Sequence, residues 1–497
     1  MIAKKWNMPI LAQAGPGAGK THAMVDEIVG AIQALPPHRF LAAVTYTNAA
    51  ANTIRERLAK RVSIRHNIFV GTTHSFVNRF ILAPCARLFS LFPEDCVYAP
   101  VDVHEKGRGA SIYTGNLINK GIIPYDAMIP KARTILNGSS VRNRICGRLA
   151  YIFVDEFQDV DIGMLEILDH FRKAGKTNLY VVGDPEQYVM SFTYRGQKSP
   201  THDKIPFCRF KKSAQIVSIV ENHRSNCEIV EFVNQFREDL KQKAIKPRRI
   251  EPRVLFIPAT DLDKIVACFQ SVSANVEIHN EQRTRLYLSE ENATFDQVRD
   301  QFQLAPISNV GRKTNTLLGD TLELFSIALD RSQKRACEEF GLSRLQWRAV
   351  GIQLLKQLRG GHYSIDDFKV FMADKFGFKV PQRSIGEIEK DLQLLRSELI
   401  RGTCGQMNEM CSSIRKAKGL QADAVLVVAK SISELKKWLQ TDRACRLADK
   451  QDKCRLGYVA FTRPREMLCI ASLKKPDTEL LNLLKNLGIV TISGDGS

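Results

Sequence analysis

The chain lacks the usual marks of a membrane, secreted or metal-cluster protein. No run approaches the ~20 consecutive apolar residues that cross a bilayer, and the apolar piece after Lys4-Lys5 is broken at Gly15-Pro16-Gly17. A membrane-spanning or secreted protein is not expected, and the expected location is cytoplasmic. The 12 cysteines include no C-x-x-C pair, the nearest two being Cys404 and Cys411. That spacing is poor for zinc, for an iron–sulfur cluster or for a disulfide framework, so reduced thiols are expected. Internal repeats and low-complexity tracts are also missing, which argues against a repeat array.

What is present is bulk and positive charge. A length of 497 residues exceeds one ordinary core and implies two to four domains. With 44% apolar and 25% charged residues the chain can bury large cores. The 72 Lys and Arg exceed the 53 Asp and Glu by a formal +19. Such a surplus attracts polyanions, because neutralising phosphates releases condensed counterions, and nucleic acid leads the expected partners.

Residues 8–13 (MPILAQ) form a short apolar run, followed by Ala14-Gly15-Pro16-Gly17-Ala18-Gly19-Lys20-Thr21 and a helical stretch through Ile32. Strand, glycine-rich turn and helix in that order is the context of a P-loop, whose backbone N–H groups and helix N-terminus cradle phosphates. Lys20 is assigned to the β- and γ-phosphates and Thr21 to Mg²⁺. Gly15, Gly17, Gly19 and His22 complete this nucleotide-binding set. Ala14 stands where the strict pattern has glycine, and a glycine-rich linker is the bland alternative. Hydrolysis needs an acid at the end of another strand. The run Tyr151-Ile152-Phe153-Val154 ends in Asp155-Glu156-Phe157-Gln158-Asp159 and supplies one. Asp155 would hold Mg²⁺ and Glu156 would orient and deprotonate the attacking water. A third run, Leu179 to Val182, leads to Gly183-Asp184-Pro185-Glu186-Gln187, where the carboxamide of Gln187 could sense the γ-phosphate.

These motifs resemble, in order, those of the UvrD/Rep/PcrA-type superfamily 1 DNA helicases. The P-loop is similar to motif I, Thr45-Tyr46-Thr47-Asn48 to motif Ia, and Thr72-Thr73-His74-Ser75-Phe76 to motif Ib. DEFQD and GDPEQ resemble motifs II and III, and Asn222-His223-Arg224-Ser225 resembles motif IV. SIRKAKGLQADAVLVV from Ser413 resembles motif V, and Tyr458 to Arg463 motif VI.

The resemblance implies an α/β fold of two RecA-like P-loop lobes with parallel sheets, each interrupted by a mainly helical insertion. It places Arg224 and Arg463 as paired arginine fingers, and His223, Gly419 and Gln421 around base and sugar. Tyr46 and Phe192 would stack on bases, with Thr47, Asn48, Thr73, His74, Ser75 and Lys418 along the strand. A core-aromatic role for Tyr46 and Phe192 is the alternative. Arg55, Arg57, Lys60 and Arg61 read as a solvated helix face. The basic connector Lys241 to Arg253 could contact phosphates or be solvated.

Three positions depart from the family pattern. The adenine-reading glutamine has no clear counterpart, Gln13 lying inside the strand; His223 replaces the adenine-stacking tyrosine; Gln421 replaces a ribose-binding glutamate, while Asp423 is retained. All touch base or sugar, so use of ATP together with other NTPs or dNTPs is expected. The motif order implies lobe 1A at 1–76 and 148–212 with insertion 1B at 77–147. Lobe 2A follows at 213–290 and 404–497, with a reduced insertion 2B at 291–403. About thirty residues follow motif VI, so a fused nuclease domain is not expected.

The leading expectation is an Mg²⁺-dependent NTPase translocating 3′-to-5′ on single-stranded or partly duplex DNA. The alternative is a nucleotide-dependent DNA sensor or scaffold gating a separate nuclease, as the resemblance to helicase-like subunits of Gabija-type anti-phage systems implies. A small-molecule kinase leaves Arg224, Arg463 and the motif V run without a role.

Overall fold

The computed structural model describes residues 6–85, 99–101, 122–190, 202–248, 251–274, 283–306, 317–329, 333–359, 363–382, 385–401 and 408–492. Two parallel sheets dominate them. The first has six strands in the order Ile68–Thr72, Phe40–Thr45, Leu149–Val154, Asn178–Gly183, Ile10–Ala14, Gln215–Ile219. The second has seven, in the order Ala305–Pro306, Glu409–Ser413, Arg285–Ser289, Ala422–Ala429, Pro464–Ser472, Val254–Ile257, Val490–Thr491.

Central strands such as Leu149–Val154 and Ala422–Ala429 are apolar almost throughout and buried along their whole length. That is the pattern of parallel strands covered on both faces. Each sheet accordingly has two cores. On the first, Leu11, Ile152, Val154 and Val181 face one cluster, while Ala12, Tyr151, Phe153 and Val182 face the other. On the second, Val425, Val427 and Leu468 oppose Ala424, Leu426 and Cys469 in the same way. The helix Lys20–Gln33 lays Met24, Val25, Ile28, Ala31 and Ile32 onto the first sheet, a helical spacing of apolar residues on one face. Fully burying an aliphatic side chain contributes roughly 1.5–3 kcal/mol, so these contacts fix where the helix begins.

The strand order also positions the motifs. The strands ending before the P-loop, DEFQD and GDPEQ lie side by side, with Phe40–Thr45 and Ile68–Thr72 next along the same edge. Ligands of open parallel sheets bind beyond the carboxyl ends of the strands, and all five loops emerge there.

Three expected boundaries shift. The strand Gln215–Ile219, placed in lobe 2A by a start at 213, pairs with Ile10–Ala14 in the first sheet. Apart from Val189, which reaches into the second core from the first lobe, the chain enters that core with the helix Cys227–Asn234. Within the expected insertion 77–147, Phe80, Ile81, Met128, Ala132 and Ile135 belong to the first lobe's own core, because their apolar faces pack on its sheet. Of the expected insertion 291–403, Phe295, Val298 and Leu304 join the second lobe's core. Helices from Leu317 to Arg401 form a separate core around Phe325, Trp347, Phe368 and Leu392.

Candidate nucleotide site and strand-facing surface

The P-loop geometry follows from its glycines. Gly17 has φ 75° and Gly19 φ 72°, both in the left-handed region that glycine adopts without strain. Gly17 also has no room for a side chain: a Cβ there would lie 2.7 Å from Arg224 Cβ and from Asn222 Oδ1. Residues 222–224 thus close directly over the loop. His223 N–H donates to Gly17 O at 3.0 Å, and the Asn222 and Gln242 amides donate to Pro16 O at 2.9 and 3.0 Å.

Beneath the loop, the Thr21 hydroxyl donates to Asp155 Oδ2 at 2.9 Å, and the other Asp155 oxygen accepts Glu156 N–H at 2.9 Å. Glu156 has φ 49°, a left-handed conformation rare for a residue with a side chain. Gln158 donates to its carboxylate at 2.6 Å. Burial, then the neighbouring Glu156 charge, pushes the Asp155 carboxyl up to about 6. Burial also raises Glu156, but Lys20 and Lys418 outweigh it and hold that carboxyl below its ordinary value. Burial lowers Lys20 against the opposing pull of Glu156, Asp184 and Asp155. The hydroxyl of Thr21 and the carboxylate of Asp155 form a pair of hard oxygen donors suited to Mg²⁺, which takes few protein ligands and keeps water and phosphate oxygens. A dication there would relieve the crowding of two buried carboxylates.

The opposite wall comes from the second lobe. Arg463, 2% exposed, donates through Nη2 to Gln187 Oε1 at 3.2 Å and through Nε to Val459 O at 2.9 Å. Arg224 Nη1 donates to Thr462 O at 3.3 Å. Burial pulls the two guanidiniums down to about 9 (Arg463) and about 10 (Arg224); each feels Glu156, and Arg463 feels Arg224 as well. Lys20, Asp155, Glu156, Gln187, Arg224 and Arg463 therefore face one cleft. Gly419 makes a left-handed turn at φ 86° beside Leu420, whose carbonyl accepts from Arg463 at 3.3 Å. Gln421 is exposed, and Asp423 is buried holding Thr284 and Arg465. His22 is exposed, 3.8 Å from Asp26.

Tyr46 is 54% exposed at the end of Phe40–Thr45, a position fit for a stacking face and unlike a core aromatic. Thr47 caps the following helix by accepting Ala50 N–H at 3.2 Å, and Asn48 begins that helix. Thr73, His74 and Ser75 form the first turn after Ile68–Thr72, with the Ser75 hydroxyl 3.0 Å from Thr72 Oγ1. His74 meets Tyr125 edge-on at 5.2 Å, and burial lowers its pKa. Phe192 lies outside the described residues. Lys418, expected along the strand, also has partners within the protein. Its ammonium crosses between lobes to donate to Asp159 Oδ2 at 2.7 Å and Gln187 O at 2.9 Å, because a partly buried lysine beside a buried carboxylate pairs with it.

Other residues escaped sequence reasoning. Arg237, fully buried, lies 3.3 Å from Asp184 and donates to the Tyr458 hydroxyl at 2.9 Å. Arg446 donates to Glu186 across the lobes at 2.7 Å. Asn222 and Gln242 brace the P-loop from above. Of these, Asn222 carried a sequence signal as the first residue of motif IV and Gln242 lies in the basic connector, while Arg237 and Arg446 carried none.

Fold and cleft define a P-loop protein in which two RecA-like lobes supply opposite walls of one cleft. The family model described as AAA domain matches residues 3–193. Among curated relatives, the Gabija protein GajB of Bacillus cereus (strain VD045) is 29% identical over 47% of this chain and 47% of its own length. The ATP-dependent DNA helicase Rep of Buchnera aphidicola subsp. Schizaphis graminum is 24% identical over 46% of this chain and 42% of its own. PcrA of Leuconostoc citreum, also an ATP-dependent DNA helicase, is 24% identical over 46% of this chain and 36% of its own. The chain thus spans less than half the length of these relatives. Over the matched part, the chain is thus similar in sequence to proteins that include UvrD/Rep/PcrA-type helicases.

Proposed function

We propose that the protein is a DNA-dependent, Mg²⁺-dependent nucleoside triphosphatase of the UvrD type that translocates on single-stranded DNA, in the 3′-to-5′ direction implied by the resemblance. The observation that carries this reading is the convergence of Arg224 and Arg463 from one lobe on Lys20 and Glu156 of the other. Charge developing on a transferred phosphoryl group is stabilised by cations aimed from both sides, so hydrolysis depends on lobe closure. Thr21 and Asp155 would hold the Mg²⁺, which would neutralise charge on the β- and γ-phosphate oxygens. Glu156 takes the proton of the attacking water, and Gln187, hydrogen-bonded to Arg463, links the γ-phosphate position to the second lobe. Tyr46 and the Thr73–Ser75 turn grip the strand from loops that leave the sheet on the same side as DEFQD, so opening and closing shift that grip. With His22 and His223 both exposed, the site discriminates poorly between ATP, GTP and dNTPs.

The test is hydrolysis with and without single-stranded DNA, followed by strand displacement on a 3′-tailed duplex. DNA-stimulated hydrolysis that vanishes in Lys20→Ala and Glu156→Gln is expected; hydrolysis surviving in both variants would refute it. A strong ATP preference at equal nucleotide concentrations would remove the relaxed-specificity part alone.

A second reading, a DNA sensor or scaffold gating a partner nuclease, is favoured by the pairs Lys418–Asp159, Arg446–Glu186 and Arg237–Asp184, which tie the cleft shut with buried charges. It predicts DNA-stimulated hydrolysis with little strand displacement unless the partner is present.

A further inference from the structure

The first sheet ends in two edge strands, Ile68–Thr72 and Gln215–Ile219, and they differ: Ile68–Thr72 is largely buried, whereas Gln215–Ile219 is exposed along most of its length and among the described residues no second strand pairs with its outer side. Ile216 and Val217 are successive and so point to opposite faces of the sheet. Both are exposed, and with Met8, Val220 and Ile245 they form a set of aliphatic side chains each 40–50% exposed. Proteins normally shorten, charge, bulge or cover such an edge, because its free N–H and C=O groups template pairing with another chain.

We propose that this edge is a docking site where an extended aliphatic segment of a separate protein, flanked by acidic residues, adds a seventh strand to the first sheet. Charge selects that occupant. Lys212 precedes the strand and Lys243, whose N–H donates to Val220 O at 2.8 Å, follows it. Both are exposed, and among the described residues neither has an ion-pair partner. No acidic residue occurs from Lys211 to Val220, and the whole chain carries a formal +19. A second copy would therefore bring like charge against like. Nucleic acid would find aliphatic side chains here in place of the aromatic faces on which bases stack.

The site lies beside the nucleotide cleft. Ile219 is in register with Ala14 at the mouth of the P-loop, and the strand runs through Val220 into Asn222, which holds the backbone of Arg224 at 2.9 Å.

The test is hydrogen–deuterium exchange of the full chain, alone and with a short capped peptide of alternating valine and threonine bearing glutamates at both ends. A lysine-flanked peptide and a single-stranded oligonucleotide serve as comparison probes. The acidic peptide should slow exchange across residues 215–219 by about tenfold or more. The double variant Lys212→Glu/Lys243→Glu, changed only at exposed positions, should bind it about fivefold more weakly and prefer the lysine-flanked peptide. Any of four results would overturn the proposal: no slowing with either peptide; exchange slow in the free chain at all concentrations, showing the chain covers its own edge; concentration-dependent slowing in the free chain, showing a second copy; or slowing by the oligonucleotide alone.

Discussion

The candidate nucleotide cleft and the candidate strand-facing surface leave the same end of the same sheet, yet they are built oppositely. In the cleft, buried polar groups meet across the lobes: Asp159 takes Lys418 and Asp184 takes Arg237 as ion pairs, and the Gln187 amide oxygen accepts from Arg463. On the surface, Tyr46 is exposed and Thr47 and Thr72 serve chiefly as helix caps. A buried charge without a partner is costly, so residue types in the cleft are fixed by chemistry and by each other. An exposed stacking face needs only a ring. Changes in the cleft should therefore be severe and mutually dependent, and changes on the surface mild and separable.

The largest effects are expected at the phosphate end. Glu156→Gln should lower DNA-stimulated turnover by roughly a thousandfold, within the range for loss of a general base, while nucleotide binding followed by fluorescence persists. Arg463→Ala should cost on the order of 10³ in turnover at saturating DNA, and Arg463→Lys should recover little, since one ammonium cannot make the three directions of contact seen here. Full turnover in either arginine variant would mean that the second lobe's wall is not catalytic.

The cross-lobe ties come next. Lys418→Met leaves Asp159 buried beside Glu156 without its cation and should destabilise the closed pair of lobes by about 3 kcal/mol. Adding Asp159→Asn should return most of that loss, because an amide beside Glu156 carries no repelling charge. Thermal melts of the two singles and the double provide the cycle, and simple additivity would show that the pair is not coupled.

The same contrast explains what could be read from the chain. Lys20, Thr21, Asp155 and Glu156 stand out because phosphate chemistry demands those residue types at strand ends, whereas Arg224 and Arg463 stand out only through the resemblance of their motifs to the family's. Arg237 carried no such signal, since its partner Asp184 lies 53 residues away and only the fold joins them. Lys418 was visible as a motif lysine, but its partner Asp159 is 259 residues distant, and pattern alone could not say which lobe it faces. The strand Gln215–Ile219 reads as a short apolar run, and such a run does not declare which sheet it joins. The segment Tyr125–Arg148 has the spacing of an ordinary amphipathic helix pair, so only packing shows that it covers the first sheet.

On the exposed surface the expected effect is smaller. Tyr46→Ala should weaken single-stranded DNA binding by roughly tenfold, corresponding to ~1–3 kcal/mol for a lost stacking base. Hydrolysis without DNA should be unchanged, and Tyr46→Phe should bind normally. A loss of DNA-free hydrolysis in Tyr46→Ala would place the ring in the cleft's network and erase the contrast drawn here.

The smallest effect tests whether half-buried charge behaves like the cleft or like the surface. Glu434 accepts Lys430 N–H at 2.6 Å and shares a hydrogen bond with Glu290, which also pairs with Lys453 at the start of the helix leading to Arg463. Burial first, then the shared hydrogen bond and the Glu290 charge, push Glu434 up to about 7, against an ordinary 4.5. A carboxyl raised on folding binds its proton more tightly in the native state. Its contribution is complete below the unfolded value and fades as pH rises from about 4.5 through 7. Glu290, lowered overall because its hydrogen bonds and cations outweigh burial, runs the other way, losing its contribution as pH falls. Both are open to solvent screening, so the net effect should stay under about 1 kcal/mol. Glu434→Gln keeps a hydrogen-bond donor toward Glu290 and removes the titration. It should melt close to the parent at pH 5.5 and slightly above it at pH 8. Equal differences at both pH values would show that the two carboxylates do not share a proton.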